Sequence, residues 1–273
     1  MELSTFSRPF ACLAFFAACF MAIGTLQAQD EKVREDIEAE KGNKGATFSF
    51  GADLMSRFVW RGIDYGNSPA IQPNLSFAWN GLNIGAWGSY AFSSHSIRVN
   101  DTTVSDAGTY AETDLFISYT YQWFTLMVFD YFTEDGLSPN TGNRYFDYSN
   151  STTGHTLEGS LAFDGPEKFP LQVLASTLFY GADKDDNSKN NYSTYIELAY
   201  KINLKKIGVE LRPFIGGIPF KSSWYGPSAG ITNLGLTAKK EIAVTTGYSL
   251  PVQVSLVTNP QAQSVFFIFG ISF

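Results

Sequence analysis

From Ala46 to Phe273, large apolar side chains recur at every second position, in runs of about ten residues separated by polar segments. Period two is the repeat of a β-strand, whose side chains alternate between its faces. The closing stretch shows it plainly. Val265, Phe267, Phe269, Ile271 and Phe273 share one face, and Ser264, Phe266, Ile268, Gly270 and Ser272 share the other. A tilted strand of roughly ten residues crosses the hydrocarbon of a bilayer. At the edge of a soluble sheet such a strand would invite aggregation, whereas a closed barrel gives it a partner on both sides.

The same pattern predicts twelve strands. The first runs from Ala46 to Arg61, with Phe48, Phe50, Leu54, Phe58 and Trp60 on its apolar face and Ser49, Asp53, Arg57 and Arg61 on its polar face. The others are expected at 70–79, 82–92, 110–121, 124–133, 154–164, 169–181, 192–202 and 207–219, then from near Gly230, from near Gly247, and over 264–273. Connections alternate between short turns, such as Asn80-Gly81 and Gln122-Trp123, and long polar loops at 93–109, 134–153 and 182–191. Short turns at one end and longer loops at the other are the habit of outer-membrane barrels. The expected fold is all-β, a 12-stranded antiparallel transmembrane β-barrel. Its apolar faces would meet lipid, and Trp60, Trp79, Tyr90, Phe92, Tyr121 and Trp123 would form an aromatic girdle near the strand ends.

Composition sharpens this reading. Charged residues are only 16% and aromatics 16% of the 273 residues, against about 25% charged in ordinary soluble proteins. A net charge of −7 argues against nucleic acid as a partner, because phosphate binding needs a basic face. Residues Pro9 to Leu26 form an apolar run behind Arg8, and Leu26-Gln27-Ala28 is an acceptable cleavage site. Residues 1–28 therefore read as a signal peptide, with a signal anchor, or a lipoprotein modified at Cys19, as the alternatives. Residues 29–45 read as a charged periplasmic lead-in and 46–273 as the barrel. Both cysteines, Cys12 and Cys19, fall in the first segment, so the mature chain would hold no disulfide or thiolate metal site. No cofactor is expected.

The polar faces carry the candidate chemistry. Asp53, Arg57, Arg61, Glu112, Asp114, Glu158, Glu197, Glu210, Arg212, Lys239 and Glu241 are expected inside the barrel as pore-lining residues. Interior charges are costly unless paired or wet, so they would either fill the lumen as a network or form a charged constriction that selects solutes. Strand six lies opposite strand one in a ring of twelve. Arg57 and Arg61 should then face Glu112, Asp114 and Glu158 across the lumen as a transverse field. Asp130 shares a face with Leu126 and Val128 and needs a bulge to turn inward. His155 has no nucleophile at a useful spacing and reads as a hydrogen-bonding residue at the rim, so no enzymatic activity is expected. Asp183, Asp185 and Asp186 lack the Gly and Glu of a calcium loop and read as a solvated acidic segment.

Several segments resemble a family of bacterial outer-membrane porins known as TorF-type. They are Ser56-Arg-Phe-Val-Trp-Arg-Gly-Ile-Asp64, Pro69-Ala-Ile-Gln-Pro73, Gly85-Ala-Trp-Gly-Ser89, Asp130-Tyr-Phe132, Gly154-His-Thr-Leu-Glu158, Ser193-Thr-Tyr-Ile-Glu197 and Asn259-Pro-Gln-Ala262 with the tail to Phe273. The resemblance implies an outer-membrane barrel in a Gram-negative bacterium but brings no substrate or mechanism with it. The ending Phe269, Ile271, Phe273 resembles the assembly signal read by the barrel assembly machinery. The partners implied are outer-membrane lipid, that machinery, and small hydrophilic solutes undergoing passive transport. Two other classes stay open: a sealed structural or adhesive barrel, and a lipid-modifying enzyme.

Overall fold

The fold is taken from a computed structural model that describes residues 45–93, 97–99, 102–104, 109–134 and 144–273. The expected signal peptide, with Cys12 and Cys19, lies outside the described residues, as does all of the lead-in but Gly45. The described residues contain no helix. Twelve strands form the wall: β1 Thr47–Met55, β2 Ala70–Trp79, β3 Leu82–Ala91, β4 Ala111–Tyr121, β5 Phe124–Phe132, β6 His155–Asp164, β7 Leu171–Gly181, β8 Thr194–Tyr200 continued as Ile202–Leu204, β9 Val209–Ile218, β10 Gly230–Thr245, β11 Tyr248–Asn259 and β12 Ser264–Ser272. Each pairs antiparallel with the next. The ring closes where β12 pairs with β1, at Asp53 opposite Ser272, Leu54 opposite Ile271 and Met55 opposite Gly270. The backbone of Phe273 adds two more bonds to Ala52, of 3.0 and 3.3 Å.

The alternation in connection length holds through β11. One end of the barrel carries tight turns, among them Asn80-Gly81, where both residues take positive φ (51° and 85°) as a two-residue hairpin turn requires. The other end carries the long connections, including a small ribbon of residues 97–99 and 102–104. Only the β11–β12 connection breaks the rule, being short at the loop-rich end.

Period two places polar groups inside and apolar groups outside. On β2, Gln72, Asn74 and Ser76 are buried while Ile71, Leu75 and Trp79 are exposed. On β4, Asp114 has no exposed surface, whereas Leu115 and Ile117 are 43% and 46% exposed. The outer face of β12 carries Phe267, Phe269 and Phe273, all exposed, with Ile271 half-buried. A soluble barrel has the reverse arrangement, because burial of apolar surface in water drives its folding.

Strand one departs from expectation. It ends at Met55, not Arg61. The chain then leaves the wall, and Phe58–Trp60 pairs only with Ile63–Tyr65 in a separate two-stranded sheet. This inner hairpin lies inside the barrel. Phe58 and Trp60 are 3% and 4% exposed and pack with Tyr110, Tyr131 and Tyr225 in the interior core. Trp60 is therefore no member of an external girdle, while Trp79, Tyr90, Phe92, Tyr121 and Trp123 are exposed as expected. The reason is length. Nine residues already complete the pairing of β1 with β2, and the six that follow can only turn into the lumen or away from it.

Candidate functional site: the plugged interior

The tip of the inner hairpin is Arg61-Gly62, with φ of 51° and 83°. Two left-handed residues make the tight turn that joins three-residue strands. Gly62 has no alternative, because a Cβ there would sit 2.0 Å from the carbonyl oxygen of Thr232 on β10. Asn259, at the end of β11, donates its amide to the Gly62 carbonyl at 3.2 Å. The tip thus reaches the wall on the side of β10 and β11.

Arg61 is wholly buried. Its Nη1 and Nη2 donate to Glu158 Oε2 and Oε1 at 2.5 and 2.8 Å, a two-pronged ion pair. Nη1 also donates to the Tyr225 hydroxyl at 2.7 Å and Nη2 to Ser176 Oγ at 3.0 Å. The guanidinium lies over Trp60, Tyr195 and Tyr225, 4.3, 4.8 and 5.7 Å from the ring centres. Glu158 Oε1 further accepts from Tyr131 (3.1 Å) and Ser160 (2.7 Å). Apart from Trp60, which belongs to the hairpin itself, these partners come from β5, β6, β7, β8 and the 219–229 loop. The arrangement braces the hairpin across the lumen.

A second network continues from Tyr195. Its hydroxyl donates to Glu197 Oε2 at 2.6 Å, and Glu197 Oε1 accepts from Arg212 Nη2 at 2.8 Å. Arg212 Nε donates to Gln172, whose amide donates to Asp164 at 2.7 Å. Asn233 donates to the Tyr195 hydroxyl at 2.9 Å. These bonds cross-link β6 to β10.

The expected interior residues divide accordingly. Arg61 joins Glu158, and Glu197 joins Arg212. Asp53 is buried on β1. Asp114 accepts from the Phe132 N–H at 3.2 Å, and Glu112 accepts from the Tyr110 hydroxyl at 2.6 Å. Arg57 sits in the connection after β1, 35% exposed, paired with Asp64 of the hairpin. Glu210 lies directly opposite Lys239, both half-buried near the turn end, and Glu241 beside them is exposed. The transverse field across an open lumen is corrected. The hairpin carries Arg61 over to Glu158, so the opposed charges touch.

Tyr195, Tyr225, Gln172, Ser176 and Asn233 belong to these networks but were not among the expected interior residues. Tyr195 was within reach of sequence reasoning, since it alternates in step with Glu197. Tyr225 lies in a loop, where no period marks it.

Asp130 keeps its outward face, half-buried, with no bulge beside it. There it meets His155 Nδ1 at 2.7 Å and accepts from the Tyr148 hydroxyl at 2.8 Å. The other ring nitrogen of His155 faces the Tyr145 carbonyl at 2.5 Å, and Tyr148 stacks on the ring at 4.1 Å. The cluster pins residues 144–153 against the outside of the wall. Burial and the Asp130 carboxylate together push the Tyr148 hydroxyl well up. Both nitrogens of His155 thus face oxygens other than a serine hydroxyl. In the 182–191 loop, Asp183 accepts from the backbone and hydroxyl of Ser193 and from Ser223. Backbone N–H groups of Lys189 and Asn187 hold the Asp185 carboxyl below its ordinary range. Among the described residues, no three acidic, His or Cys side chains gather at metal-binding distance. His95 lies outside the described residues.

Neither the models of known protein families nor the curated proteins give a match to this chain.

Proposed function

We propose that this protein is an outer-membrane channel for small hydrophilic solutes, closed at rest by its own inner hairpin. Twelve antiparallel strands, an apolar outer face and a polar inner face are what a bilayer-spanning barrel requires. The loop-rich end would face outward and the turn end the periplasm. The TorF-type resemblance and the signal peptide expected at residues 1–28 support the same placement. The observation that carries gating is the hairpin's independence. Its backbone pairs with itself and with no wall strand, so it can be displaced without opening the barrel. What holds it is side-chain chemistry: Arg61 with Glu158, Tyr225 and Ser176, Asn259 on the Gly62 carbonyl, and the packing of Phe58 and Trp60.

Planar-bilayer recording of the refolded mature protein tests this. The wild type should be mostly silent with brief openings. Replacing residues 57–66 with a short Gly-Ser linker should give steady conductance, and Glu158→Gln should raise the open fraction. A barrel that inserts without residues 57–66 and stays silent is no channel. The sealed structural reading, favoured by the complete burial of the Arg61–Glu158 pair, would then stand.

A further inference from the structure

The seam where the barrel closes is uneven at the turn end. β12 pairs with β1 only from Met55 back to Asp53, and the backbone of Phe273 bonds to Ala52 just below. On its other side β1 pairs with β2 all the way to Thr47. Among the described residues, the stretch from Phe48 to Gly51 therefore has a strand on one side only. Successive residues of a strand aim their backbone groups at opposite neighbours. Ala52 aims at the seam, so Phe50 and Phe48 do too, while Ser49 and Gly51 aim at β2. The N–H and C=O groups of Phe48 and Phe50 thus face an open edge, beneath rings that are 78% and 85% exposed. Such an edge is a template for a further strand. Across the gap β11 is a poor partner, because Pro251 has no N–H to offer.

We infer that residues 36–41 of this chain cover that edge as a short strand antiparallel to β1. They leave from the right place. The chain bends at Gly45, at the turn end directly below the edge. Gly42-Asn43-Lys44-Gly45 has the composition of a tight connection, and four-residue loops are common in hairpins. Register supports the same segment. Closing that loop on Lys41 and Ala46 sets Ala39 opposite Phe48 and Ile37 opposite Phe50. These become the pairs that exchange both backbone bonds, as the direction of Phe48 and Phe50 requires. The faces agree as well. Ile37 and Ala39 fall on the outer face with the two phenylalanines, and Asp36, Glu38 and Glu40 fall on the inner face, at the wet mouth of the lumen. The strand stops at Asp36, because Phe273 already holds Ala52. Glu, Ala and Lys favour a helix, but so short a helix is marginal alone in water, whereas an added strand gains main-chain bonds from a waiting edge.

This inference goes beyond the channel reading and is measured without conduction. Residues 29–273 contain no cysteine, so the refolded mature chain carries only those placed in it. Glu38→Cys with Ser49→Cys makes a directly opposed pair of the close, non-hydrogen-bonded kind, whose spacing suits a disulfide. It should cross-link within one molecule on mild oxidation, read by mass after alkylation. Ile37→Cys with Ser49→Cys, on opposite faces, should react at least 10-fold more slowly. Hydrogen exchange supplies a second reading with no side chain altered. Removing residues 29–41 should speed exchange of the Phe48 and Phe50 amides at least 10-fold and leave those of Ser49 and Gly51, bonded to β2, unchanged. The inference is overturned if the two cysteine pairs react equally or if the disulfide joins two molecules. It is overturned equally if Phe48 and Phe50 exchange as fast in the full mature chain as in the shortened one.

Discussion

Arg61 combines two costs that a protein normally avoids. Its φ of 51° is left-handed, which costs a residue with a side chain about 1–2 kcal/mol. Its charge is also completely buried, which is tolerable only with a well-matched partner. Glu158 is that partner, so the two residues should behave as a unit. Arg61→Ala or Glu158→Ala alone should destabilise the folded barrel by about 3–5 kcal/mol, since each leaves a buried charge uncompensated. The double variant should lose much less than the sum. Urea unfolding followed by tryptophan fluorescence gives all four stabilities, and additive losses would show that the pair is not coupled. Gly62→Ala serves as a control with both charges intact. Its new methyl would collide with the Thr232 carbonyl, which should displace the tip. At this scale the sequence was only half legible. Parity placed Glu158 and Arg61 inside, but parity says nothing about which side of the barrel a side chain reaches.

The elements were read more successfully than their boundaries, and the inner hairpin shows why. Phe58-Val59-Trp60 continues the alternation of β1, so hydrophobic period alone merges the two. The visible warning was length, because sixteen residues from Ala46 to Arg61 exceed the 9–11 that a tilted strand needs. Gly62 was the second sign, marking a turn inside an apparent strand. Loops are less legible still. Nothing in the spacing of Asp130, Tyr145, Tyr148 and His155 announces that they meet outside the wall. Within the same loop, Asp147 accepts from the Ser149 N–H at 3.0 Å and the Thr152 hydroxyl at 2.9 Å. The Ser149 N–H first, and the Thr152 hydroxyl after it, hold its carboxyl below the ordinary 3.8. A folded-state pKa below the unfolded one means that the contribution is fully present above pH 3.8 and fades as pH falls through the lowered value. Amide exchange at Ser149 and Thr152, corrected for intrinsic rates, should therefore quicken with acid in that range. In Asp147→Ala, which has no acceptor, it should be fast at every pH. Unchanged protection of the wild type in acid would mean that these bonds do not order the loop.

The whole molecule was the most legible level, because a barrel is specified by periodicity and closure, which every strand repeats. Even so, the pattern of faces is compatible with two inverted worlds until the outer surface is known, and the structure puts the apolar face outside. A substitution series turns that arrangement into a test of surroundings. On a protein surface in water, replacing an exposed residue by Arg changes stability by no more than about 0.5 kcal/mol. On a lipid-facing surface the same change costs about 2–4 kcal/mol at the bilayer midplane and falls to about 0–1 near its edges. Ile117 lies mid-way along β4, outward and 46% exposed. Tyr121 points the same way at the turn end of that strand. Ile117→Arg should therefore cost about 2–4 kcal/mol in lipid vesicles and Tyr121→Arg about 0–1, measured by reversible urea unfolding. Both share one strand, one face and one substitution, so the difference between them reports depth alone. Equal and negligible costs would mean that water, not lipid, covers this face. The outward Phe267 and Phe269 would then need a protein partner to cover them, and the channel reading would fall with the membrane.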